Sequence, residues 1–152
     1  MSPSKKKVPK LKQSPQKSGA VRSENPDAYF DRTPSWRFIQ MDKEMWSPLK
    51  QADGVAKNVL PKMYGWESQT WKEIIKPKKQ NHFIQVSTLN KCAIERLEEL
   101  RIEAESLFSL RIQGKERLYG LIEGDGTFNI IWYDTDHGDN STCVCKSQKK
   151  HT

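Results

Sequence analysis

The feature that most constrains this chain is an alternation of apolar residues on either side of a Gly-Asp-Gly corner in its last third. Gly124, Asp125 and Gly126 separate residues 117–123 from residues 127–134. An Asp-Gly pair between two such runs is a strong hairpin signal, because both central residues of the tight turn take positive φ. A two-residue loop there sets Glu123 opposite Phe128 and Tyr119 opposite Trp132. One face then carries Tyr119, Leu121, Phe128, Ile130 and Trp132, and the other carries Leu118, Ile122, Ile131 and Tyr133, since successive side chains alternate across the pleat. Both faces are apolar, so the sheet needs a cover on each side: a helix on one and another segment on the second. Residues 107–112 read as a third strand, with Phe108, Leu110 and Ile112 alternating with Ser109 and Arg111 before a Gln113-Gly114-Lys115 turn.

The formal net charge of +7 belongs to one end of the chain. Residues 1–22 hold Lys5, Lys6, Lys7, Lys10, Lys12, Lys17 and Arg22 with no acid, and acidic and basic residues balance in the remainder. A Ser/Pro/Lys-rich stretch with few apolar groups buries too little surface to offset the entropy of ordering. Residues 1–25 are therefore expected to be a disordered basic tail, which acts either as a solvated extension or as an arm that attracts nucleic-acid phosphates. No apolar run is long enough to span a bilayer and no secretory signal is evident, so no membrane partner and a cytoplasmic location are expected. Cys92, Cys143 and Cys145 do not make an even disulfide set. Cys143-x-Cys145 with His137 and His151 nearby offers zinc-type ligands but lacks the paired spacing of structural sites, so neither metal nor cofactor is expected.

Residues 28–80 form a Trp-rich extension holding Trp36, Trp46, Trp66 and Trp71, which supply packing area and are expected to cover the second apolar face. Residues 36–41 suit a short strand. Val55, Ala56, Val59, Leu60 and Met63 have helical spacing after an Asp53 N-cap, with Pro61 and Gly65 limiting that helix. Thr70 and Glu73 are spaced as a capping box for a second helix through Trp71, Ile74 and Ile75. Residues 82–86 alternate weakly as an added strand. After them Ser87, Thr88 and Asn90 offer caps for an amphipathic helix at about 88–101, with Ala93, Ile94, Leu97 and Leu100 inward and Glu95, Arg96, Glu98, Glu99 and Arg101 on a solvated face. The expected fold class is α+β: this helix on a three- to four-stranded antiparallel meander at about 107–134, within a core of residues 81–152.

The order of an amphipathic helix feeding a meander that begins F-S-L-R-I-Q-G-K-E-R-L-Y-G resembles the RelE/ParE-type toxin superfamily. Arg111 and Arg117 around the Gly-Lys turn are similar to its hydrophobic-Arg strand pair. The terminal W-Y-D-T-D-H and K-K-H-T segments resemble a group of small uncharacterised bacterial and phage-associated proteins ending in W-x-D-P-x-H and K-K-H-T. The resemblance implies helices packed on a curved antiparallel sheet, and a bacterial toxin-type protein acting on RNA as a metal-independent endoribonuclease. Its implied partners are RNA or the ribosome and a cognate antitoxin.

Cleavage of RNA by its own 2′-hydroxyl needs a base, an acid for the leaving 5′ oxygen, and cations for the charge that builds on phosphate. The candidate catalytic residues are His137 and His151, because an unperturbed imidazole titrates near neutrality, and Arg111 and Arg117, whose guanidinium forks match a phosphate. Lys115, Lys149 and Lys150 are candidate RNA-binding cations. Tyr133 or Tyr119 would stack on a base or donate a proton, although Tyr119 opposite Trp132 also reads as core. Plain structural roles compete: His137 after Asp134 and Asp136 suits a turn, His151 lies beside the C-terminus, and both arginines suit exposed strand positions. The alternative function is a non-catalytic nucleic-acid- or protein-binding module on the same fold.

Overall fold

In the computed structural model, residues 28–76, 80–138 and 143–146 are described. The expected basic tail, His151, Lys149 and Lys150 lie outside them. The hairpin forms where the Gly-Asp-Gly corner places it, joining β4 (Glu116–Ile122) to β5 (Thr127–Asp134). Its loop is one residue longer than expected. Gly126 N donates to Glu123 O at 2.9 Å and Glu123 N to Thr127 O at 2.8 Å, so three residues turn the corner. Only Gly126 takes positive φ, at 96°, while Asp125 Oδ1 accepts from Thr127 N at 2.9 Å. This is the turn in which a left-handed glycine ends the loop as a bulge.

Ile122, not Glu123, therefore stands opposite Phe128, yet Tyr119 still faces Trp132. A second irregularity absorbs the difference: Gly120 pairs with Ile130 and Tyr119 with Trp132, which leaves Ile131 as the extra residue of a β-bulge. Beyond it the side chains of β5 exchange faces. Phe128 and Ile130 consequently lie with Leu118, Ile122 and Tyr133 in one core, while Trp132 and Ile131 lie with Tyr119 and Leu121 in the other. That corrects the uninterrupted alternation expected for β5.

The sheet has five strands in the order β1-β5-β4-β3-β2. Strands β2 (His82–Gln85), β3 (Ser106–Gln113), β4 and β5 are antiparallel neighbours, whereas β1 (Ser35–Arg37) pairs parallel to β5. The sheet is thus mixed, with one more strand than the expected meander, because the chain returns from the Trp-rich segment to the free edge of β5. Past β1 the same edge is continued by Asp42 N donating to Ile131 O at 3.0 Å and Tyr133 N donating to Trp46 O at 2.8 Å. With both neighbours in place, every residue of β5 is buried.

Each face has its cover. On one side pack α1 (Leu60–Trp66) and α2 (Trp71–Ile75), which bring Met63, Trp66, Trp71 and Ile74 onto Phe108, Leu110, Ile112 and Phe128. The Thr70–Glu73 capping box that starts α2 is formed in both directions. Trp71 is wholly buried, and its indole N–H donates to Gly126 O at 2.8 Å. Removing an indole of this size from water contributes about 4–6 kcal/mol before entropy is counted. The helix ahead of α1 differs from expectation, since Ser47 rather than Asp53 caps the first turn. Pro61 does not stop it, because a π-turn at Val55–Val59 lets Leu60 N reach Val55 O and relieves the clash a proline ring makes inside a regular α-helix. Gly65 likewise lies within α1.

On the other side lies α3 (Lys91–Glu99), burying Ala93 and Leu97 against Leu107, Tyr119 and Trp132. Arg96 is not part of its solvated face. It turns inward to Asp42, donating from Nε and Nη2 at 2.8 Å each, and Asp42 also accepts from Trp132 Nε1 at 2.9 Å. The charge sequence alone gave no sign of this contact across the fold. The architecture is therefore α+β, a mixed five-stranded sheet between two helical layers.

Candidate functional site

Helix α3 covers only one end of its face. By strand alternation the uncovered end carries His82 from β2, Ser109 and Arg111 from β3, and Arg117 from β4. The register sets them in two rows. His82, Ser109 and Tyr119 are successive cross-strand partners, and so are Arg111, Arg117 and Asp134. Two like-charged guanidiniums directly opposite one another are unfavourable in a bare sheet, a repulsion that an anion placed between them would relieve.

His137 reaches this face by a short turn out of β5. Asp136 N donates to Asp134 Oδ1 at 2.9 Å, and His137 N then donates to Lys115 O at 3.0 Å. The β3–β4 turn that carries Lys115 thus fixes the backbone of the histidine. The imidazole Nδ1 stands 3.2 Å from Tyr119 Oη, and the same hydroxyl stands 3.1 Å from Cys145 Sγ. Residues 143–145 are pinned from two sides: Asp134 Oδ2 accepts from Val144 N at 2.8 Å, and Asn90 Nδ2 donates to Cys143 O at 2.6 Å and Cys145 O at 3.0 Å. Asn90 therefore begins α3 as expected but spends its side chain on this segment instead of on the helix. Arg117 is anchored at one terminal amine, donating from Nη1 to Gly114 O at 2.6 Å and Glu116 O at 3.1 Å.

Burial dominates the electrostatics. It lowers the imidazole of His137 to about 4, helped by the Arg117 cation and by His82, so the ring is uncharged at neutral pH. Burial, with Cys145 beside it, raises the Tyr119 phenol, and burial raises the Cys145 thiol, so both keep their protons. Burial also raises Asp134, against the amides of Asp136 and Val144 that lower it. It lowers Arg117, with Arg111 adding to the effect. The surface that results presents guanidinium cations, an uncharged imidazole and protonated donors, a set suited to an anion with hydroxyl neighbours.

Of the residues expected from sequence, Arg111, Arg117 and His137 come together here, with Lys115 exposed on the adjoining turn. Tyr133 does not join them. It belongs to the opposite core, where its hydroxyl donates to Glu116 Oε1 at 2.6 Å, because the bulge at Ile131 sets its face. Sequence reasoning missed His82 and Cys145 at this face. The only trace of His82 was its place on a weakly alternating strand, and finding its row required the β2–β3 register.

A cleft of about 560 Å³ opens separately, lined by Trp46, Lys50, Cys92, Tyr133, Asp134 and neighbours. It includes none of Arg111, Arg117 or His137. Among the described residues no group of three or more His, Cys, Asp or Glu side chains is placed to hold a metal ion, and no helix is long and apolar enough to cross a membrane. No protein-family model matches the chain, and no curated protein or solved structure matches it either.

Proposed function

We propose that the open end of the sheet binds an RNA phosphodiester and cleaves it without metal, as a toxin-type endoribonuclease of the kind the RelE/ParE resemblance implies. One observation carries the reading: Arg111 and Arg117 are direct cross-strand partners on the face that holds the uncharged imidazole of His137. Their forks hold the non-bridging oxygens and stabilise the charge that grows there during attack by the 2′-oxygen. His137 provides a hydrogen-bonding and proton-transfer group beside them, and Lys115 extends the cationic edge toward the next phosphate. The ribosome and a cognate antitoxin are the proposed partners in the cell.

A second reading, a binding module without catalysis, is favoured by the constraint on the ring: the inner nitrogen of His137 is already engaged by Tyr119. Induced expression in bacteria, with transcripts mapped, separates the two. The enzyme reading expects slowed growth and cut transcripts, both relieved by Arg117→Ala with His137→Ala, and cleavage of purified RNA in EDTA. Harmless wild-type protein that binds RNA and leaves it intact would establish the module.

A further inference from the structure

Two of the three histidines in the chain lie in the described residues, His82 and His137, and their ring nitrogens have different neighbours. His82 Nδ1 stands 3.1 Å from Phe83 O. A carbonyl oxygen only accepts, so Nδ1 carries a proton, and in the neutral ring the outer Nε2 then keeps its lone pair. His137 Nδ1 faces the Tyr119 hydroxyl, which has one proton and two neighbours, Nδ1 at 3.2 Å and Cys145 Sγ at 3.1 Å. An imidazole nitrogen is the far better acceptor, and the buried thiol keeps a proton to give to the phenol oxygen. The chain of donors therefore runs from Cys145 through Tyr119 to His137 Nδ1, and it leaves His137 with its proton on Nε2.

We propose that the site divides its work between two imidazoles fixed in opposite tautomers. Tyr119 positions His137 as an Nε2–H donor to the phosphate, and His82 Nε2 is the base that takes the ribose 2′-hydroxyl proton. The proposal rests on the RNA-cleaving reading above and names the group that reading left open. His82 and Tyr119 are one strand apart from each other across Ser109, roughly 10 Å at the backbone, and Ser109 is small. A ribose and its 3′-phosphate fit that span, with the phosphate toward Arg111 and Arg117 and the sugar toward His82. In the step itself, the 2′-hydroxyl gives its proton to His82 Nε2 and its oxygen forms the new bond to phosphorus. The bond to the 5′ oxygen breaks with its electron pair on that oxygen, which takes a proton from solvent. His82 later returns its own proton to solvent, and the product carries a 2′,3′-cyclic phosphate.

Two measurements on the full chain test this. Long-range ¹H–¹⁵N correlation spectra at neutral pH report each tautomer with no substrate present: the expected result is an Nδ1–H signal for His82 and an Nε2–H signal for His137, the latter giving way to mixed tautomers in Tyr119→Phe. Finding His137 as the Nδ1–H form, or unchanged in Tyr119→Phe, overturns the positioning role. Cleavage and affinity are then separated with a single-stranded RNA and its analogue lacking the scissile 2′-hydroxyl. His82→Ala should lose cleavage by about 100-fold or more, the scale of a removed acid–base group. Its affinity for the analogue should stay within about threefold, a change of about 0.7 kcal/mol at most, and added imidazole should restore part of the rate. Wild-type-like cleavage by His82→Ala overturns its role as base. If the wild-type protein itself leaves RNA uncut, the endoribonuclease reading and the role of His82 fail together, while the spectra still decide the tautomers.

Discussion

Replacing Asp42 by alanine is expected to be among the most destabilising single changes in this fold. The carboxylate is fully buried and accepts from Arg96 at 2.8 Å twice, Trp132 Nε1 at 2.9 Å, Glu44 N at 2.9 Å and Met45 N at 3.1 Å. It therefore ties the edge segment beside β5 to α3 and to β5 itself. Its removal leaves the Trp132 indole N–H unpaired in the core, a cost of about 1–3 kcal/mol. Arg96, whose side chain is 18% exposed and also pairs with Glu99, relaxes toward solvent more cheaply. Adding the two lost charge-assisted bonds gives about 4 kcal/mol, inside the range of about 3–5 kcal/mol for breaking a buried pair. Arg96→Ala should cost about 3 kcal/mol, since the stranded carboxylate keeps three N–H donors, and Trp132→Phe about 1 kcal/mol.

Urea denaturation followed by tryptophan fluorescence reads these differences, and the melting point of Asp42→Ala should fall by about 8–16 °C. Acid gives an independent arm. Burial by itself raises this carboxyl, but the Arg96 hydrogen bonds, the Trp132 indole and the amides of Glu44 and Met45 outweigh it and hold Asp42 well below the usual carboxylate range. A depressed folded value stabilises above the unfolded value of about 3.9 and is lost as pH falls through the folded one. The stability gap between wild type and Asp42→Asn should thus stay flat above about pH 5 and narrow below about pH 4. An Asp42→Ala protein within about 1 kcal/mol of wild type, well short of the buried-pair range, would refute the reasoning.

For His137 the sign is set by its fall to about 4 in the fold. The unfolded chain binds the proton first, so stability should drop as pH falls from about 6.5 toward 4, and His137→Gln should flatten that limb of a urea midpoint profile. At Gly120 a Cβ would overlap the Asn129 carbonyl and come within 2.8 Å of the Phe128 ring. Gly120→Ala should therefore cost about 3 kcal/mol or more by chemical denaturation, as overpacking does; a neutral result would mean that the bulge yields. Thr70→Ala removes one half of the capping box that starts α2 and should lower the unfolding free energy by about 1 kcal/mol in the same assay.

The hairpin, β3, the Thr70 box and the helix beginning after Asn90 were legible because each has a local cause: a glycine corner, a period of two, a cap, a period of near four. What escaped was non-local. A short strand was legible near residues 36–41 and forms as β1 at Ser35–Arg37, but its parallel pairing with a segment about ninety positions away has no turn to announce it. The bulge at Ile131 was invisible because both faces of β5 are apolar, and a slip between two apolar faces leaves no mark in the pattern. Asp42 sits between Met41 and Lys43 in a stretch that reads as surface. At the candidate site, Arg111 and Arg117 were legible from the turn between them, and His137 from its chemistry. His82 needed the β2–β3 pairing, and Cys145 needed the Asn90 and Asp134 contacts that place its segment.

The parallel pairing of β1 has a consequence for how the chain matures during synthesis. Strands β3, β4 and β5 each pair with the strand made just before, but Trp36 and Trp71 must wait for Phe128 and Gly126, which leave the ribosome only after about ninety further residues in the case of the β1–β5 contact. Closing so long a loop is entropically costly and slow. Until it happens, the aromatic half of the molecule stays uncovered to other nascent chains and to chaperones, and the last strand emerges as the keystone that shields it.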